Sequence, residues 1–117
     1  MSKVYFAQEP RPSRNGNTPN IDPAMAFGEI VFLLPREVEA FRSVDVARQE
    51  IEDEISDFNP ENDFICRTQW NDPVADFNMI FALASMFDKG TKIKMLQWTK
   101  DSNSNEGGHY YPVMFTV

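Results

Sequence analysis

Apolar and polar positions along this chain fall into runs of two periods, short β-prone runs and two longer stretches with helical spacing. Val4-Tyr5-Phe6-Ala7 is the first. It stops at Glu9-Pro10-Arg11-Pro12, where two prolines remove amide donors and fix φ, so it predicts an edge or near-edge strand. Residues 28–34, ending in Ile30-Val31-Phe32-Leu33-Leu34 before Pro35, are dense enough in large apolar side chains to suit a central strand buried on both faces. Ser43 can cap a helix, and Val44, Ala47, Ile51, Ile55 and Phe58 then recur at helical spacing, predicting a helix over 44–57 that Asn59-Pro60 ends.

A third strand is expected over 64–70. Asp72 as N-cap with Pro73 at the first helical position starts a second helix over 73–88, and Gly90 offers a left-handed stop. Strands over 93–98 and 110–117 follow, joined by the polar, glycine-ended segment 101–108 as a hairpin with a long tip. Pro112 places the last strand at an edge or a bulge. The expected order is β-β-α-β-α-β-β. It makes a single small α/β domain over 1–117 in two or three layers, with a mostly parallel sheet and a C-terminal antiparallel hairpin. Residues 9–26 form its one long loop, with 13–23 poor in any hydrophobic period.

Composition narrows the function. At 117 residues, 42% hydrophobic and 13% aromatic, the chain can build one core unaided. One cysteine, Cys66, allows no internal disulfide, and with the single His109 it makes no zinc set, so no metal or other cofactor is expected and a reducing compartment fits. No charged-then-apolar leader opens the chain. Its densest apolar run, 79–87, is far below the roughly 20 residues a bilayer span needs, so a soluble, unexported protein is expected. A net charge of −7 argues against direct nucleic-acid binding, because phosphates require a basic face.

Several positions carry candidate chemistry. Asn71 and Asp72 sit where a strand meets a helix N-terminus, which suits either a plain N-cap or an anion held on free amides. Arg67 needs a carboxylate or a bound anion if its strand is central, and simply meets water if the strand is near an edge. Trp98 lies near a strand end, able to stack on a flat ligand or to pack as rim. Together Asn71, Asp72, Arg67 and Trp98 are the candidate ligand or anion site at the carboxyl ends of the parallel strands.

The second helix is apolar nearly all round. Val74, Phe77, Ile80, Phe81, Ala84 and Phe87 read as the packing face, leaving Met79, Leu83 and Met86 as a surplus for a homodimer, a partner protein or the long loop. Glu50, Asp53, Glu54 and Asp57 form an acidic stripe on the first helix, either a solvated face, a mimic of a phosphate backbone, or a docking surface for a basic protein. No nucleophile elbow, paired acid and base or metal set is visible, so no catalytic residue is assigned and a non-enzyme is expected.

The segment 18–35, with Pro23-Ala24-Met25-Ala26-Phe27-Gly28-Glu29 before the strand, then Asp63-Phe64-Ile65, Asp72-Pro73, Lys94-Met95-Leu96-Gln97-Trp98 and Tyr111-Pro112-Val113, resembles a family of small tailed-bacteriophage proteins. The family pattern has glycine where Asn71 stands, and Gln97 and Lys100-Asp101 depart from its fourth-strand ending. The resemblance implies a phage-encoded accessory protein, acting in the cytoplasm of the infected bacterium and binding a host or phage protein. The alternative reading is a small-ligand or nucleotide binder.

Overall fold

The computed structural model describes residues 2–10, 12, 16, 20–36, 44–67, 73–100 and 108–117. Its elements are β1 (Lys3–Gln8), a 3-10 turn (Asp22–Ala26), β2 (Glu29–Leu34), α1 (Val44–Glu54), β3 (Phe64–Cys66), α2 (Pro73–Met86), β4 (Lys92–Lys100) and β5 (Gly108–Thr116). The β-β-α-β-α-β-β order holds. Ser43, Thr68, Gln69, Trp70, Asn71, Asp72, most of segment 13–19 and the hairpin tip 101–107 lie outside the described residues.

The five strands form one sheet in the order β2-β1-β3-β4-β5. β1 to β4 are parallel, and β5 returns antiparallel to β4 with Pro112 opposite Leu96 on the outer strand. One strand position departs from the sequence expectation of an edge or near-edge β1 and a central β2: β1 lies next to the edge, and the edge strand is β2. β1 is interior, with Val4, Tyr5, Phe6 and Ala7 all buried, whereas β2 is an edge strand whose residues 30–32 are only half-buried. The prolines that suggested an edge at β1 come after the strand has ended at Gln8, so they cost the ladder no donor.

Crossover handedness explains the layers. The β2-α1-β3 and β3-α2-β4 connections step across the sheet in one direction, so right-handed crossovers put both helices on one face. The β1-to-β2 step runs the opposite way, and its connection, with the 3-10 turn, belongs on the other face. Packing agrees. Tyr5, Leu33, Ile65 and Ile93 meet Ala47, Ile51 and Ile55 of α1 and Ala75, Met79, Ala82 and Leu83 of α2, while Val4, Phe6, Cys66, Leu96 and Tyr110 meet Ala24, Ile21 and Phe27. The fold is two-layered, with a partial third cover made by the 3-10 segment.

Local contacts fix the frame. Asp63, buried just before β3, accepts the amides of Lys3 at 2.9 Å and Asn59 at 2.8 Å, tying the start of β1 to the turn after α1. Gly28 passes so close to the backbone of Ser2 that a Cβ there would collide with the Ser2 carbonyl. Gly90 has φ of 100° and donates its amide to the Val117 carbonyl at 2.7 Å, the left-handed stop expected after the second helix.

Candidate functional site

In open α/β sheets the natural crevice lies beyond the carboxyl ends of the strands, where connections leave in opposite directions, here between β1 and β3. That position is closed at β1. Gln8 is fully buried and donates its side-chain amide to the Pro35 carbonyl at 3.1 Å, drawing the chain after β2 across the strand end. The opening lies one strand further along. A cleft of about 580 Å³ separates the first two turns of α2 from the end of β4, within the range of ligand pockets.

Its walls follow from the periods of the two elements. Asp76, Phe77 and Ile80 line it from α2, and Met95 and Gln97, two apart and therefore on one face of β4, line it from the sheet, making a largely apolar trough. Met79 closes the inner end. At the mouth, Arg67, directly after β3, pairs through Nε with a carboxylate oxygen of Asp76 at 3.2 Å. β3 is central, between β1 and β4, and Arg67 finds its carboxylate in the first turn of α2. Asp76 already places negative charge at that helix N-terminus, which disfavours a second anion there.

Of the predicted ligand site, the structure brings Arg67 and Trp98 to this cleft, and Asn71 and Asp72 lie outside the described residues. Trp98 is 42% exposed, but its ring is set edge-on to Tyr110 at 4.9 Å and covers Gly108, where any side chain would strike the indole. It is a rim residue held by cross-strand packing.

The surplus apolar face of α2 is not the one expected. Met79 and Leu83, assigned to an outward surface, are 2% and 0% exposed and belong to the core, and only Met86 of that trio reaches solvent. Phe77 and Phe81, read as packing residues, are instead 60% and 55% exposed. The small side chains Ala75 and Ala82 let α2 approach the sheet closely and bring Met79 and Leu83 with them, turning the phenylalanines out. Arg48 of α1 lies over the Phe81 ring at 5.5 Å and is held by Glu52 at 3.0 Å.

Of the acidic stripe read on the first helix, Glu50, Asp53 and Glu54 lie on α1, which ends at Glu54, and Asp57 lies in the turn after it. Glu50, Asp53, Glu54 and Asp57 are all exposed. Cys66 is fully buried beside Tyr110, and burial pushes its thiol up to about 12, with the Tyr110 phenol also shifted upward by burial. A thiol held in that state is a core side chain, not a nucleophile. Among the described residues no helix is long and apolar enough to cross a membrane.

Strand order, two-layer packing and an apolar cleft opening at the ends of β3 and β4 define a small α/β protein. The chain belongs to the phage Pam3 gp32-like protein family, which it matches over residues 2–117. It is a bacteriophage protein, as the sequence resemblance implied. No curated protein and no solved structure matches it.

Proposed function

We propose that this phage accessory protein is a non-enzymatic binder that seats a partner protein on α2 and in the cleft beside it, within the cytoplasm of the infected cell. The carrying observation is the pair Phe77 and Phe81, one turn apart and more than half exposed, the first of them forming a wall of the cleft. Apolar aromatics displayed in line beside a trough are the anchors from which protein interfaces draw most of their affinity.

Affinity capture from infected cells tests this with the wild type, a Phe77→Ser/Phe81→Ser variant and a variant reversing charge at Glu50, Asp53, Glu54 and Asp57. A protein retained by the wild type and the charge variant but lost by the serine variant supports the reading. Captured proteins that all survive the serine changes would sink it. Sedimentation of the purified protein distinguishes a homodimer seated on the same face.

The second reading, a small-ligand site in the cleft, is favoured by its volume and by the Arg67–Asp76 pair at its mouth. A thermal shift with a panel of flat, apolar metabolites that Gln97→Ala abolishes would support it.

A further inference from the structure

The two edges of the sheet are treated differently. β5 carries Pro112 in mid-strand, a residue that denies an incoming strand one ladder donor. β2 has neither proline nor charge over residues 30–34, and among the described residues no strand lies outside it. The Glu29 amide turns inward to the Ser2 carbonyl at 3.0 Å, so by strand alternation the amides and carbonyls of Ile30 and Phe32 turn outward. That is an open template for strand addition.

Beside this edge, α1 and the end of β2 enclose a groove of about 480 Å³, with Leu33, Leu34 and Pro35 along its floor and Glu50, Asp53 and Glu54 along its wall. The three carboxylates overhang the edge from the helical side of the sheet. On the other side, Ile30 and Phe32 are half-buried apolar neighbours packed with the 3-10 segment.

We infer that the β2 edge binds an extended segment of another protein whose residues alternate basic and apolar, adding a sixth strand to the sheet. Side chains of an added strand alternate between faces. Those on the helical side meet the acidic row and are lysine or arginine; those on the opposite side extend the apolar surface of Ile30 and Phe32. A second copy of this chain is disfavoured as occupant, because two-fold pairing of β2 brings two acidic rows toward each other. This surface is separate from the α2 cleft, and neither depends on the other.

The test uses the full chain and a fluorescent peptide of about eight alternating Lys and Val residues, a typical strand length or slightly more. Anisotropy at low salt reads its affinity against three controls: an alternating Glu–Val peptide, a Lys–Val peptide N-methylated at every second residue to remove ladder donors, and a Glu50→Lys/Asp53→Lys/Glu54→Lys variant. Because residues 50, 53 and 54 are exposed, the variant's far-UV circular dichroism is expected to match the wild type. The expected result is binding of the Lys–Val peptide, weakened about tenfold or more by N-methylation and by charge reversal, with slowed amide exchange at Ile30 and Phe32. No binding, equal binding of the Glu–Val or N-methylated peptide, or unchanged exchange at those two amides would overturn the proposal.

Discussion

The inward and outward rows of α2 are built from similarly apolar residues and have opposite fates. Ala75, Met79, Ala82 and Leu83 are sealed against the sheet; Phe77 and Phe81 stand in solvent. The difference teaches that burial here is set by how closely a backbone can approach. Two alanines admit the sheet to one side of the helix, while the larger aromatic rings are turned away from it, Phe81 meeting the Arg48 side chain of α1. The contrast extends beyond α2, since the carboxylate of Asp63 lies inside while those rings lie outside.

The sharpest break of this contrast is Leu83→Ala against Phe81→Ala. Removing a fully buried leucine leaves a cavity and is expected to cost about 2–5 kcal/mol in urea unfolding, whereas the Phe81 change costs under about 1 kcal/mol. Equal costs would place both rows in the core. Next in size is Asp63→Ala, which strands the amides of Lys3 and Asn59 and is expected to lower stability by about 2 kcal/mol, with faster exchange at both amides.

A smaller, pH-dependent effect tests the other face of the sheet. Cys66 rises from 9.0 to about 12 on folding because burial penalises its thiolate. The native state therefore keeps a proton that the unfolded chain gives up. The stabilisation is fully present below about pH 9 and declines as pH rises toward 12, by about 1.4 kcal/mol per unit. The Cys66→Ala variant should show a flatter decline between about pH 9 and 10; an unchanged slope would remove Cys66 as its source. Smallest is the stability change expected for Phe77→Ser with Phe81→Ser, within about 0.5 kcal/mol per site, which makes loss of a partner in that variant a statement about the surface alone.

Much of the architecture was legible in the chain. Helical spacing at Ala47, Ile51 and Ile55, the Pro73 start, the Gly90 stop and the Pro112 edge each follow from local physics and appear as read. The position of β2 was not legible, because its run is as apolar as an interior strand's and only crossover direction decides that it lies outside β1. α2 was misread for a related reason. A helix apolar on every side has no unique packing face, and the small residues that settle the matter carry little weight in a hydrophobic pattern. At the cleft, Arg67 and Trp98 were singled out from position, while its Phe77 wall and Met95 floor were hidden among core-like residues.

β1 is the first strand in the chain and an interior strand of the sheet, and this has a consequence for how the protein is made. Lys3 must wait for Asp63, sixty residues later, before its amide finds an acceptor, and Val4 to Phe6 must wait for β3 before their second neighbour exists. A nascent chain therefore holds the apolar Val4–Phe6 segment unpaired on one side until well over half of it has left the ribosome. Parallel pairing at such separation closes large loops before contacts repay them. Capture of β1 between β2 and β3 is therefore the expected slow step of assembly, while the β4–β5 hairpin, whose partners are close in sequence, can form on its own schedule.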